Sequence, residues 1–397
     1  MTRLPFLVAC AALLLAGCAP QPVRPPCPPC PGVEPRPPAA APLQPAVWSD
    51  LPGWRENDPA PAWEGFLASC RSLEKKIDAQ GAALWQPACV AARRIEDKRP
   101  ESLRGWFEAN FRPWALVNPD GSHEGLVTGY YEPVLQGSRK KTARAPYPVF
   151  GPPADLIVVD LAELYPELKS MRLRGRLEGR RLIPYYSRAD WSKEESKRLH
   201  EAILWVSDPL DFFFMQIQGS GQVELDDGSR VRLGYADQNG HPYRSIGRWL
   251  IEKGELESGQ ASMQGIRRWA ENHPERLAEL LNANPSLVFF RELPVEGSGP
   301  PGALGVPLTP RRSLAVDPRH VPLGAPVWLA TTWPSSEQAL TQLMLAQDTG
   351  GAIRGVVRAD FYWGSGPEAG ALAGKMRQSG RMWVVLPKEY VPARAPD

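Results

Sequence analysis

Leu345-Ala346-Gln347-Asp348-Thr349-Gly350-Gly351 and Arg358-Ala359-Asp360-Phe361-Tyr362-Trp363-Gly364, preceded by Leu314-Ala315-Val316-Asp317-Pro318, put three aspartates into short apolar segments punctuated by glycine and proline. Residues 325–330 and 343–346 have the length, apolar content and Gly/Pro boundaries of β-strands. A carboxylate at the end or on the inward face of such a strand is costly to bury unless it is paired, hydrogen-bonded or protonated. Three in one block therefore suggest a site where carboxyl pKa values are manipulated. Taken singly, each also suits a turn, because Asp before Pro or Thr-Gly is ordinary turn chemistry.

Working outward, the 397 residues suffice for two domains and a sizeable core. A net charge of +2 with scattered Lys and Arg gives no footprint for nucleic acid. Fourteen tryptophans suit stacking on flat ligands or sugar rings, with core packing as the plainer use. The five histidines are dispersed without an HExxH or a His/Cys cluster, so neither metal nor cofactor is expected.

At the N-terminus, Arg3, an apolar run over residues 4–15 and Leu15-Ala16-Gly17-Cys18 resemble a bacterial lipoprotein signal with its lipobox. That resemblance implies cleavage of residues 1–17 and lipidation of Cys18. With Ala19 next, it implies the periplasmic face of the outer membrane. A plain secretory signal is the alternative. Residues 18–47 are crowded with proline and predict an extended tether. Cys27 and Cys30 lie within it, with no element around them to support a redox or zinc site.

From about residue 48 to 114 the pattern is helical. Trp63, Phe66, Leu67, Cys70, Leu73 and Ile77 recur at helical spacing, and Leu84, Ala88, Ala91 and Ala92 mark a second helix. Cys70 and Cys89 fall one in each, so an oxidising compartment predicts a disulfide between them, two buried thiols being the alternative. Residues 126–133 then form a strand, and strand patterns follow to about 247. These include residues 156–160, residues 211–218 and a hairpin turning at Asp226-Asp227-Gly228. Helices follow near residue 248, after Ser262 and after Pro274. The reading is mainly β with helices (α+β).

Thr128-Gly129-Tyr130-Tyr131, the run from Phe214 through Gln218-Gly219-Ser220-Gly221, Asn239-Gly240 with Tyr243-Arg244-Ser245-Ile246-Gly247, and the three-aspartate block together resemble the membrane-bound lytic murein transglycosylase A family. The resemblance runs from about residue 50 to 388. It implies a large domain with a double-psi β-barrel, built from residues 48–132 and 249–390, with the 3D region at about 313–390. A smaller β domain, residues 133–248, is inserted, with a groove for a peptidoglycan glycan strand between the two. The implied reaction breaks the β-1,4 bond between N-acetylmuramic acid and N-acetylglucosamine and leaves a 1,6-anhydromuramoyl end. Its nucleophile is the substrate's own C6 hydroxyl, so a single carboxyl can serve first as acid and then as base.

By the same resemblance Asp360 is that carboxyl. Phe361, Tyr362 and Trp363 would wall it off from water, and a neighbouring Asp348 would raise its pKa further. Asp348 is expected to position or hydrogen-bond, while Asp317, before Pro318, fits a structural role as readily as a catalytic one. Thr128, Tyr130, Gln218, Ser220, Asn239, Tyr243 and Trp363 are the expected sugar contacts, hydroxyls and amides suiting a largely neutral chain. A monomer is expected. The tether cysteines and the polar stretch at residues 170–197 depart from the family's pattern.

Three other readings compete. Asp348-Thr349-Gly350 is the aspartic-protease tripeptide, but such enzymes need two and the chain has no second Asp-Thr-Gly or Asp-Ser-Gly. A lipid-anchored protein that binds the wall without cutting it would leave Asp360 exposed in a turn. A hydrolase on the same scaffold would let water compete with the C6 hydroxyl.

Overall fold

The computed structural model describes residues 42–75, 82–295 and 297–391. The expected signal, Cys18 and the cysteines at 27 and 30 lie outside the described residues. In chain order the elements before the insertion are β1 (Leu43–Pro45), α1 (Ala60–Glu74), α2 (Ala82–Ala92), α3 (Pro100–Asn110), β2 (Phe111–Leu116) and β3 (Gly125–Glu132). The middle of the chain forms β4 (Val134–Ser138), β5 (Tyr147–Phe150), β6 (Ile157–Val158), β7 (Arg174–Glu178), β8 (Arg181–Pro184), α4 (Arg188–Glu194) and β9 (Ala202–Val206). It continues through α5 (Pro209–Gln218), β10 (Ser220–Leu225), β11 (Arg230–Gln238), α6 (Ile246–Glu252), α7 (Met263–Asn272), α8 (Leu277–Asn282) and β12 (Val288–Leu293). The last part is β13 (Ser313–Val316), β14 (Pro326–Thr332), β15 (Ala339–Asp348), β16 (Arg358–Ser365), α9 (Gly366–Ala373) and β17 (Arg377–Pro387).

The first and last parts share one sheet in the order β1-β2-β17-β14-β15-β13-β16-β3. A further pairing of β17 with β3 closes six of these strands on themselves, which removes the edges that an open sheet would expose. Strand alternation sends Leu314, Val327, Leu329, Phe361, Val384 and Leu386 into a single core. The N-terminal helices cover it with Trp63, Phe66, Trp106 and Phe107, packed edge to face. A disulfide joins Cys70 and Cys89, tying α1 to α2. Ten of the fourteen tryptophans are buried, so their main use is packing.

The middle of the chain builds a second sheet, β12-β11-β10-β4-β9-β5, and a small three-stranded one, β6-β7-β8. Glu132, the last residue of β3, is buried where the chain crosses between the two sheets. It accepts from Arg232 Nε at 2.8 Å, Gln222 Nε2 at 2.7 Å and Ser365 Oγ at 2.6 Å, so both sheets are tied to one carboxylate.

Three sequence-based expectations differ from this arrangement. Residues 211–218, a strand by sequence pattern, form most of α5. Asp208 caps that helix by accepting from the amides of Leu210 and Asp211, both at 2.8 Å; Pro209 opens it, and Gly219 at φ 80° ends it. The boundary placed at 248 also moves. β12 pairs with β11, and Ile246, Leu250, Ile266 and Trp269 pack against Leu210, Phe213 and Phe214 of α5, so residues up to 293 go with the insertion. Finally, the proline-rich tether, expected to reach residue 47, ends earlier, because Leu43–Pro45 pairs antiparallel with β2.

Candidate active site

Three neighbouring strands bring the chemistry together. β13 lies between β15 and β16, and its Ala315 is in register with both Asp348 and Asp360. On the far side of β16, β3 runs parallel and sets Thr128 opposite Asp360 and Tyr130 opposite Tyr362. Between them Gly129 cannot carry a side chain. A Cβ there would lie 2.7 Å from Trp363 Nε1 and 2.8 Å from Ala373 Cα.

Thr128 Oγ1 donates to Asp360 Oδ1 at 2.6 Å and itself accepts from Arg358 Nη2 at 2.9 Å. Asp360 keeps some solvent access, but the atoms crowded around it raise its pKa from 3.8 to about 6. Burial is the largest cause; the Thr128 hydrogen bond and the Arg358 charge pull the other way, and Asp348 adds a push upward.

A bulge in β15 shapes the second carboxyl. Leu314 pairs with Ala346 and Ala315 with Asp348, which leaves Gln347 as the extra residue. Its amide turns into the core, accepting from Ser313 Oγ at 2.6 Å and donating to Gly65 O and Ser69 Oγ at 2.9 Å. Asp348 itself accepts from the amides of Ala303 and Thr349 at 2.9 Å and from the Tyr130 hydroxyl at 3.0 Å. Burial pushes its pKa up against these three donors. The Tyr130 phenol is pushed well above its usual value by burial and by the two carboxyls, so it stays protonated and able to donate.

Asp317 belongs elsewhere. Its buried carboxylate is ion-paired with Arg319 Nη2 at 2.6 Å and accepts from the Gly355 amide at 2.9 Å. The Arg319 guanidinium holds it well below the usual carboxylate range. These contacts pin the turn after β13 to the loop before β16.

Among the other expected contacts, Gln218 is half-buried and accepts from the Tyr131 amide at 3.2 Å, and Ser220, half-buried, begins β10. Tyr243 is 52 % exposed. Two expectations fail. Asn239 is 0 % exposed; it donates to the carbonyls of Tyr186 and Pro285 and accepts from the Leu287 and His241 amides, so it locks a chain crossing and has no group left for a sugar. Trp363, 3 % exposed, packs 4.6 Å from Phe361 in the large core. Alternation along β16 gives Asp360 and Tyr362 one face and Phe361 and Trp363 the other, so of the expected aromatic wall only Tyr362 shares the carboxyl's side; it packs 5.2 Å from Tyr130. The residue not anticipated is Arg358. Its signal was its position two before Asp360, on the same face of the strand.

Comparison with known proteins follows the same segments. Residues 126–291 match the family described as MltA specific insert domain, and residues 312–386 match the 3D domain. The chain is 36 % identical to membrane-bound lytic murein transglycosylase A of Escherichia coli K12 over 280 residues, 68 % of each protein. The crystal structure of MltA from Neisseria gonorrhoeae superposes with a TM-score of 0.77 at 38 % identity, covering 89 % of this chain and 94 % of that one. E. coli MltA with bound chitohexaose superposes with a TM-score of 0.63 at 27 % identity, covering 89 % and 93 %.

Proposed function

Because the chain belongs to the membrane-bound lytic murein transglycosylase A family, we propose that it cleaves the β-1,4 bond between N-acetylmuramic acid and N-acetylglucosamine in peptidoglycan, with Asp360 as its single acid and base. The observation that carries this reading is the environment of Asp360. Its pKa of about 6 supplies a proton near neutral pH and accepts one back readily.

Thr128 occupies Oδ1 as a donor, which leaves Oδ2 to carry the proton. Asp360 passes that proton to the glycosidic oxygen as the bond to the muramoyl C1 breaks, and the glucosamine leaves with a free 4-hydroxyl. The resulting carboxylate stands beside an oxocarbenium-like ring, with Arg358 and Thr128 stabilising its charge. It then takes the proton of the C6 hydroxyl as that oxygen attacks C1. The 1,6-anhydro ring closes, Asp360 is protonated again, and no water is consumed. Asp348 and Tyr130 fix the neighbouring wall, and the Asp348 charge adds to the upward push of burial on the Asp360 pKa.

The glycan is assigned to the groove where β3 leaves the barrel for the insertion, with Thr128, Tyr130, Gln218, Ser220 and Tyr243 on offer to its hydroxyls. We also assign the closed six-stranded unit to the double-psi kind, on its β17–β3 closure and its parallel β13–β15 and β16–β3 pairs. Lipidation at Cys18 and the outer membrane rest on the lipobox; among the described residues no helix is long and apolar enough to cross a membrane. The test is release of soluble sugar from purified sacculi by the full chain and by Asp360→Asn. Release by the first and not the second supports the proposal. Co-sedimentation of both with sacculi without any release would replace it with a wall-binding protein.

A further inference from the structure

A cavity of about 290 Å³ opens within the insertion, between β5, α4, α5, α8 and β12, and none of the three aspartates lines it. Its walls are largely apolar, with Phe150, Trp191, Phe212 and Leu281 prominent. Two side chains of opposite charge also face it, Arg188 and Glu195.

Arg188 is 8 % exposed, and all its hydrogen-bond partners are neutral. Its Nε donates to Asn284 O at 3.2 Å, and its Nη2 to Gln216 Oε1 at 2.5 Å and Ser286 O at 2.6 Å. The ring of Phe213 lies 4.7 Å beneath the guanidinium. Those bonds anchor α4 to residues 284–286, which is a structural task. They do not neutralise the charge, and among the described residues Nη1 has no acceptor and Arg188 no ion pair within 4.0 Å. Burial lowers its pKa to about 10, which leaves it charged. The Glu195 carboxylate likewise has no hydrogen bond or ion pair among the described residues, and burial pushes its pKa up against the more distant Arg188 charge.

The two charges attract each other only across more than 4.0 Å, and Glu195 keeps some solvent access, so the cost of burying Arg188 is offset in part and not by a direct ion pair. A ligand carrying both complements would relieve it, and apolar walls with a few converging polar groups are the usual make-up of a small-molecule site. We propose that this cavity binds a small zwitterion with an apolar side chain, an amino acid or short peptide, its carboxylate on Arg188 and its ammonium on Glu195. Arginine's planar fork suits a carboxylate in particular. The volume, at the lower end for ligand pockets, holds the ligand to a small one.

The test is calorimetric titration of the full chain with leucine, alanyl-leucine, N-acetyl-leucine, which lacks the ammonium, and leucinamide, which lacks the carboxylate. Leucine or alanyl-leucine should bind, and the two blocked compounds should bind at least tenfold more weakly. Glu195→Gln, which leaves the Arg188 anchor intact, should weaken the zwitterion and not N-acetyl-leucine. Ala278→Trp at the exposed rim should abolish binding with the unfolding temperature unchanged. Equal binding of blocked and free compounds, no binding of either zwitterion, or binding indifferent to Ala278→Trp would each overturn the proposal.

Discussion

Thr128 Oγ1 donates to Asp360 Oδ1 at 2.6 Å, so a hydroxyl of the N-terminal part of the chain governs the proton of a carboxyl 232 residues away. The bond stabilises the ionised form and opposes the upward push of burial. Thr128→Val removes the donor and keeps the shape. The Asp360 pKa should rise further, by about one unit, the worth of a single hydrogen bond of ~1.5 kcal/mol. The check is the pH dependence of kcat/KM, whose descending limb should move to higher pH in the variant.

In the unmodified chain the same profile should be high below pH 6 and fall as pH rises through about 6, since the first step needs a protonated Asp360. A profile that instead rose through that range would assign the limb to a base. Initial rates on isolated glycan strands at constant ionic strength give the answer.

Asp360 should also cost the fold stability at neutral pH. Its folded pKa lies above the ordinary 3.8, so ionisation is harder in the native state; the cost is complete above about pH 6 and vanishes as pH falls toward 3.8. Asp360→Asn keeps an acceptor for Thr128 and removes the charge. It should abolish turnover and stabilise the chain by about 1–3 kcal/mol at pH 7.5, with the gain lost at pH 4. Urea unfolding at the two pH values measures this.

Asp317 should behave in the opposite sense. Its pKa is depressed by Arg319, so its stabilisation is present above the ordinary carboxylate range and lost as pH falls below it. Asp317→Asn should destabilise by about 1–3 kcal/mol at neutral pH through the lost ion pair and the weakened bond from Gly355. Turnover at a temperature where the variant is folded should remain near normal. A loss of kcat without a loss of stability would return Asp317 to the catalytic set.

The disulfide between Cys70 and Cys89 spans 19 residues and ties two helices that cover the barrel core. Replacing both cysteines by serine should cost about 2–4 kcal/mol in urea unfolding, with little effect on kcat.

The strands of the aspartate block were legible because each is short, apolar and bounded by glycine or proline, and the 3.6-residue spacing of Trp63, Phe66 and Cys70 marked α1. α5 was not, since a run such as Phe212-Phe213-Phe214-Met215 fits a buried strand or a buried helix equally by periodicity. Asp208-Pro209 before it and Gly219 after it were the deciding signals, and they are caps. At the site, residue types pointed to carboxyls and hydroxyls, but direction did not follow from type. Trp363 looked suited to a sugar and is turned inward by the two-residue period of β16, while Arg358 two places before Asp360 shares its face for the same reason. Asn239 resembled a glycan contact because its amide is versatile, and the fold uses every part of that amide in the backbone around it.

The most direct measurement is mass spectrometry of the soluble products released from sacculi by the full chain, beside Asp360→Asn. Muropeptides lighter by one water than hydrolytic ones, and absent with the variant, are the predicted result, because the C6 hydroxyl closes the ring under Asp360's proton transfers. Products of full hydrolytic mass, or anhydro products that persist with Asp360→Asn, would contradict the single-carboxyl mechanism.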